Sequence, residues 1–249
     1  MGRWSRLVAP RFLDWLNQPE GLRWADVGCG SGALTAAVVE RCSPGSVLGV
    51  DPSAAQVEEA ARRVVDPRVR FERGSADDLT SASFDVVVSG LVLNFVPDPV
   101  TAVASMARAA PGGVVAAYVW DYAEGMQLLR TFWDVAGSLD PVVADLNEGH
   151  RFSWSRPDAL AEMWTSAGLR DVRSTPVTVP TVFEDFSDFW SPFLGGQGPA
   201  PGYVATLGDP AREELREALE RVLAPEPDGR IRLTARAWAV RGTSSDGLR

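Results

Sequence analysis

Lysine is missing from this chain: all 24 of its Lys+Arg residues are arginine. That excludes the phosphate-binding lysine of a P-loop, a Schiff-base lysine and a Ser–Lys nucleophile pair. Histidine is nearly missing too, with His150 alone. A Ser-His-Asp triad would have to use it, and no G-x-S-x-G elbow accompanies it. There are two cysteines, Cys29 and Cys42, without C-x-x-C spacing, so neither a zinc centre nor a disulfide framework is expected. Two free thiols fit a reducing compartment, and the expected location is cytoplasmic. No apolar run approaches the roughly 18 residues needed to span a bilayer, so no membrane insertion is expected. The opening MGRWSRLVAP has no signal-peptide pattern. The net charge of −9 repels phosphate backbones, and no basic run offsets it, so no nucleic-acid partner is expected.

What is present is a rhythm. Short apolar runs, Leu22–Val27, Val47–Val50, Val69–Phe71, Phe84–Ser89 and Val114–Trp120, alternate with helical spacings. Several are nearly continuous in Val, Leu and Ala, as parallel strands covered on both faces require. Residues 5–16 read as an amphipathic helix broken or started at Pro10. Ser53 can cap a helix carrying Val57, Ala60, Ala61 and Val64 on one face. Asp98-Pro99 is a helix start, with Val100, Val103, Ala104 and Ala107 following at helical spacing. After Trp120 the strands thin out. Ser155 and Pro157 open a helix with Leu160, Met163, Trp164 and Ala167 on one face, closed by Gly168; 169–182 reads as an extended segment, 184–194 as an aromatic helix or turn, and 195–202 as a loop. Asp209-Pro210 opens another helix, 231–240 alternates like a final strand, and 243–249 reads as a tail. The expected fold is α/β, a doubly wound, mostly parallel seven-stranded sheet with a helical, aromatic-rich cap. The expected blocks are a cofactor-binding core over 1–120, a substrate cap over 121–205 carrying one core helix and strand, and a closing helix and strand over 206–249.

The chemistry concentrates where the first strand ends, in WADVGCGSGALT, with Gly28, Gly30 and Gly32. A glycine-rich strand-to-helix turn lets a ligand approach the backbone closely and aims N–H groups at it. Asp51 closes the second strand, 23 residues after Gly28, where a carboxylate can accept both ribose hydroxyls. A nucleoside-containing ligand over Gly28–Gly32 follows from position. The loop by itself does not choose between adenosylmethionine and a dinucleotide, since Ala33 fits the last slot of a G-x-G-x-x-A pattern. Asp26, just before the loop, suits a ligand bearing an ammonium and a sulfonium better than one bearing two phosphates.

The segments WADVGCGSG, VLGVDPS, GSADDL, SFDVVVSGLVLNFVPDP and PGGVVAAY run in order from residue 24 to 118. Together they resemble the class I S-adenosylmethionine-dependent methyltransferases, in particular the group similar to ubiquinone and menaquinone biosynthesis enzymes. MGRWSR and TARAWAVRG extend the resemblance toward both ends. It implies S-adenosylmethionine as cofactor. It implies that Gly28, Cys29, Gly30 and Ser31, beside Asp26, line the methionine part, and that Asp51 holds the ribose. Pro52 and Ser53 would lie beside the adenine, with Ser75, Ala76 and Asp77 at its edge. Ser89 and Gly90 would lie near the amino group, and Trp4 or Arg6 would close the pocket near the carboxylate. Family members often have Asp or Asn where Ser75 stands and His where Asn94 stands. The resemblance puts Ser89 where Mg-dependent catechol-type enzymes tend to carry a metal-binding Asp, which implies no metal here, and the chain lacks the N/D-P-P-Y run seen in many amino-methyltransferases for DNA bases and glutamine.

The stretch 118–203 holds 14 of the 22 aromatic residues. Some of Trp120, Tyr122, Trp133, Phe152, Trp154, Phe186, Trp190 and Phe193 are expected to wall a partly apolar small-molecule site. Methyl transfer from an activated sulfonium needs alignment and water exclusion more than acid–base work. If the acceptor is a hydroxyl, His150 is the one histidine available as a base. The acceptor atom and the catalytic residues are left open, as is the oligomeric state. Two other functions fit the same pattern: an NAD(P)-dependent oxidoreductase with a divergent glycine loop, and a non-catalytic adenosylmethionine-binding module.

Overall fold

The computed structural model describes residues 2–81, 84–152, 154–195, 198–223 and 225–245. Each apolar run expected as a strand is one. β1 (Arg23–Val27), β2 (Ser46–Asp51), β3 (Val69–Arg73), β4 (Val86–Gly90) and β5 (Val114–Trp120) are joined by β6 (Arg170–Phe183) and β7 (Ile231–Thr243). The seven-stranded sheet has the order β3-β2-β1-β4-β5-β7-β6. β1 pairs in parallel with both β2 and β4, and β4 with β5. β7 runs against β5: Gly113 accepts from the Ser244 N–H at one end, and the Asp121 N–H donates to Arg236 at the other. The sheet is therefore mixed, with its strand order reversing between β1 and β4. In open α/β sheets a ligand lies over the carboxyl ends at such a reversal.

The chain divides into two compact units. The first comprises Gly2–Val119, Arg156–Val177 and Trp238–Arg249, and the second Trp120–Ser155 and Thr178–Ala237. The units interleave along the sequence, whereas the expected blocks follow one another. Strands β5, β6 and β7 each cross a unit boundary.

In the first unit Val86, Val87 and Val88 of β4 are wholly buried, as a central parallel strand demands. Each such side chain contributes about 1.5–3 kcal/mol of hydrophobic stabilisation. α1 (Gly2–Leu16) runs through Pro10 instead of breaking there. Val8, Ala9, Phe12, Leu13 and Leu16 bury one face of it, and that burial offsets the lost backbone hydrogen bond. α2 (Ala33–Cys42) follows the glycine turn, and α3 (Ala54–Arg63) follows the Ser53 cap, whose hydroxyl accepts from the Gln56 N–H. α4 (Pro99–Ala109) is capped by Asp98, which accepts from the Thr101 N–H at 3.1 Å. Its buried strip is Val103, Met106, Ala109 and Ala110, turned away from the expected one, and Val100 is exposed. The larger Met106 side chain buries more apolar surface than Ala104 or Ala107. Asp98→Ala is expected to cost about 1 kcal/mol, read as a fall of roughly 2–4 °C in melting temperature. α7 (Pro157–Ser166) packs on β5, with the Trp164 indole N–H donating to Val115 O at 3.0 Å.

In the second unit α5 (Gln127–Leu139) and α6 (Glu148–Arg151) precede α8 (Phe186–Trp190), α9 (Pro199–Thr206) and α10 (Asp209–Val222). α9 corrects the expected loop over 195–202, of which residues 196–197 lie outside the described set. Pro199 and Pro201 fall in the first helical turn, where no N–H is needed, so the prolines start this helix instead of preventing it. The expected tail is shortened by β7, which reaches Thr243; residues 246–249 lie outside the described set. The unit's core is aromatic: Phe132 stacks on Phe193 at 4.4 Å, and Phe183 meets Phe189 edge-on at 5.3 Å.

Candidate active site

The carboxyl ends of β1, β2 and β4 carry the site. Gly28, Gly30 and Gly32 all have positive φ, of 72°, 51° and 83°, a conformation that L side chains rarely adopt. The loop is tied to β2 at three points. The Gly28 and Cys29 N–H groups both donate to Val50 O. The Gly30 N–H donates to Asp51 Oδ2 at 3.0 Å, while Asp51 Oδ1 accepts from the Ser53 N–H at 2.9 Å. Asp51 thus sits between the loop and the start of α3, half-buried, with lone pairs left over for a diol. A Cβ on Gly28 would lie 2.4 Å from Val92 Cγ1, whereas one on Gly30 would meet nothing within 4 Å. The loop is closed beneath Gly28 and open at Gly30.

Asp26 is buried at the floor. Thr35 Oγ1 donates to its Oδ2 at 2.7 Å, and Oδ1 has no partner among the described residues. Burial pushes its carboxyl up from 3.8 to about 6, against the Thr35 hydrogen bond and with help from the Asp51 charge. An orphaned acidic oxygen beside an open glycine loop fits a ligand that brings a cation, and Asp51 fits one that brings a ribose. S-adenosylmethionine has both. Bound there, it would supply an activated methyl group. Its ribose would be held by Asp51, and its methionine end would lie along Gly28–Ser31 above Asp26.

The other expected site residues have these surroundings. Ser89 is buried, and its hydroxyl donates to Val27 O at 2.8 Å, cross-linking β4 to β1. Cys29 is buried, and desolvation together with Asp26 and Asp51 pushes its thiol up, so it is no nucleophile. Ser31 accepts from Arg63 Nη1 at 3.0 Å. Pro52 O accepts from Arg73 Nε at 3.1 Å. Ser75 donates its N–H and hydroxyl to Asp78 Oδ2 at 2.7 and 3.0 Å. Ala76 is buried, and Asp77 is drawn to Ser105 of α4. Trp4 and Arg6 lie on different faces of α1, Trp4 buried and Arg6 exposed. Gly90 closes β4 against Tyr118. Asp85, at the opposite end of the sheet, holds the turn by accepting from Arg23 Nη2 at 2.9 Å.

Sequence reasoning missed Thr35, Arg63, Val92 and Tyr118. Each reaches the site from a different element, and no local spacing announces them. In the second unit, Trp120, Trp133, Trp190 and Phe193 are buried, so they build its core. Tyr122, Phe152, Trp154 and Phe186 keep some exposure, and Tyr122 pairs with Phe152 at 5.0 Å. His150 is exposed on α6. No group of His, Cys, Asp and Glu among the described residues could hold a metal.

Residues 25–117 match the family described as methyltransferase domain. Among curated proteins it is 39% identical over 168 residues to trans-aconitate 2-methyltransferase of Deinococcus radiodurans, covering 63% of this chain and 62% of that one. It is 29% identical to malonyl-[acyl-carrier protein] O-methyltransferase of Halorhodospira halophila over 96% of this chain and 82% of that one. Its fold matches the solved YcgJ protein of a Bacillus with a TM-score of 0.60, at 18% identity, over 97% of this chain and 99% of that chain. These similar proteins include methyltransferases, and they do not single out the ubiquinone and menaquinone group.

Proposed function

We propose that this chain transfers the methyl group of S-adenosylmethionine to an oxygen of a small organic acid. The carrying observation is the Asp51 carboxylate joined to the open glycine loop at Gly30, with the unpartnered Asp26 oxygen below it. Two carboxylates around the loop oppose a pyrophosphate, which weighs against the oxidoreductase reading. The acceptor class is supported by the printed names of the two curated relatives, one acting on trans-aconitate and the other an O-methyltransferase acting on malonyl-[acyl-carrier protein]. An acid oxygen is already ionised at neutral pH, so it needs no general base. That suits a chain with no lysine and a single histidine.

The assigned roles are then as follows. Asp51 orients the ribose, and Gly28, Cys29, Gly30 and Ser31 fix the methionine end with Asp26. Ser53, Ala76 and Gly90 bound the nucleoside and amino-acid ends. Within the second unit, Tyr122, Phe152, Trp154 and Phe186 are the aromatics expected at an acceptor site that keep some exposure. The protein's part in the reaction is to hold the acceptor oxygen in line with the departing sulfur and keep water out. No described helix is long and apolar enough to cross a membrane, and a cytoplasmic location goes with the two buried free thiols.

Titration with S-adenosylhomocysteine by calorimetry is the test. Micromolar binding is expected, weakened about tenfold or more by Asp51→Ala, which corresponds to about 1.4 kcal/mol. Binding of NADH without S-adenosylhomocysteine would make the protein an oxidoreductase. Binding of S-adenosylhomocysteine with no turnover across small acids would leave a binding module.

A further inference from the structure

The last turn of α3 rests against the glycine loop, and one of its side chains reaches in. Both belong to the first unit. A Cβ on Gly32 would lie 3.0 Å from Val64 Cγ2 and 3.3 Å from Ala60 Cβ, so helix and loop touch at this turn. Beside that contact Arg63 Nη1 donates to Ser31 Oγ at 3.0 Å. Arg63 Nε also pairs with Glu59 Oε1 at 3.3 Å, one turn back along α3. Glu59 is shared, since its Oε2 meets Arg62 Nη2 at 2.7 Å. The guanidinium is thus steadied by its own helix and spends a donor on the loop.

Along Gly28–Gly32 every N–H but one is used within the protein. The Gly28 and Cys29 N–H groups donate to Val50 O, that of Gly30 to Asp51 Oδ2, and that of Gly32 to Cys29 O. The Ser31 N–H makes no hydrogen bond with a described residue. Ser31 follows Gly30, where the loop is open, and its hydroxyl is taken by Arg63. α2 starts just beyond, and its N-cap Gly32 has no side chain to cap the first N–H groups. Free N–H groups at a helix start favour an anion. Asp26 and Asp51 on their own would repel one, and Arg63 brings the opposite charge to the tip of the loop. S-adenosylmethionine carries a carboxylate as well as an ammonium at its methionine end, and the two need opposite surroundings.

We propose that Arg63 is a positioning residue for the cofactor's carboxylate: it fixes Ser31 so that the unused Ser31 N–H serves that group, with the positive guanidinium behind it. This rests on the adenosylmethionine reading of the site. The labour is then divided. Asp51 holds the ribose, Asp26 faces the ammonium, and the Arg63–Ser31 pair serves the carboxylate. Arg63 acts through Ser31, so it governs how the amino-acid end is held and leaves the nucleoside end alone.

The experiment compares two ligands by calorimetry on the full chain. S-adenosylhomocysteine has the amino-acid end, whereas 5′-methylthioadenosine keeps the nucleoside and the thioether without it. Arg63→Met is expected to weaken S-adenosylhomocysteine about fivefold and to leave 5′-methylthioadenosine within about 1.5-fold of wild type. Ser31→Ala is expected to show the same selectivity. The double variant is expected to lose much less than the product of the two single losses, as residues that act as a unit do. Arg63→Lys keeps the charge and a donor, and it is expected to recover most of the affinity. The melting temperature of Arg63→Met is expected to stay within about 2 °C of wild type, because Arg62 still holds Glu59. Equal losses for both ligands would make Arg63 a support for the whole loop and overturn the proposal. Losses that multiply in the double variant, or an Arg63→Met protein that binds S-adenosylhomocysteine as wild type does, overturn it as well. Failure of the wild-type protein to bind either ligand is a different outcome, and it removes the functional reading together with this one.

Discussion

Gly28→Ala is expected to abolish S-adenosylhomocysteine binding and to destabilise the protein by about 2–4 kcal/mol. Two independent costs meet at this position. The backbone φ of 72° disfavours any Cβ by about 1–2 kcal/mol. The new Cβ would also lie 2.4 Å from Val92 Cγ1 and 2.7 Å from Cγ2. Val92 follows the strained Leu91, so it cannot retreat without disturbing the exit of β4. Relief of either strain moves the Gly28 and Cys29 N–H groups off Val50 O, and the loop shifts from under the ligand. Calorimetry and a thermal melt measure the two effects separately. Val92→Ala in the Gly28→Ala background is expected to recover part of the stability and little of the binding, because it removes the clash and leaves the backbone strain. Retention of binding within about twofold in Gly28→Ala would show that the ligand does not approach this turn.

Asp26→Asn is expected to push stability and binding in opposite directions. The carboxyl is raised from 3.8 to about 6 by burial, so ionising it at neutral pH costs about 3 kcal/mol relative to the unfolded chain. The sign follows from the folded value lying above the unfolded one. This group's contribution is most favourable below about pH 4 and is lost as pH rises through 6. The neutral amide escapes that cost, keeps an oxygen for the Thr35 hydroxyl and leaves its NH₂ poorly partnered. A net gain of about 1–2 kcal/mol at pH 7 is expected, with a flatter stability profile between pH 4 and pH 6. Cofactor affinity is expected to fall about tenfold or more, since the charge facing the ammonium is gone. Chemical denaturation at pH 5 and pH 7, beside calorimetry, tests both halves. An Asp26→Asn protein that is less stable at pH 7 would mean that the carboxylate is held by more than the Thr35 contact.

The core of this fold was legible because its signals are local. Val86–Val88 and Val114–Val119 are apolar without alternation, which only a strand covered on both faces tolerates. Ser53 and Asp98 cap the helices they precede. The glycine loop and Asp51 were legible for the same reason, since each sits where a strand stops and the backbone needs an unusual conformation. Errors arose where tertiary packing outweighs local preference. Pro10 reads as a break, yet α1 passes through it because the buried face beyond it is worth more than one hydrogen bond. The Gly-Pro run before Thr206 reads as a loop, yet two prolines in a first turn lack nothing that the turn requires. The missed site residues share one cause. Thr35, Arg63, Val92 and Tyr118 act at the site through contacts between elements, and periodicity describes only one element at a time. The aromatics of the second unit show the converse: their number was plain, but which of them build the core depends on which faces the helices bury.

β1 is five residues long, and its two ends serve different purposes. At its start the Arg23 N–H and guanidinium both reach Asp85, at 2.8 and 2.9 Å. Three residues later Asp26 faces the ligand end. Anchor and chemistry are thus separated by about 10 Å of extended chain. The loops at the carboxyl end can vary while the Arg23–Asp85 fork keeps the strand in register. Such a strand lets its ligand-facing end change without loosening the sheet's register.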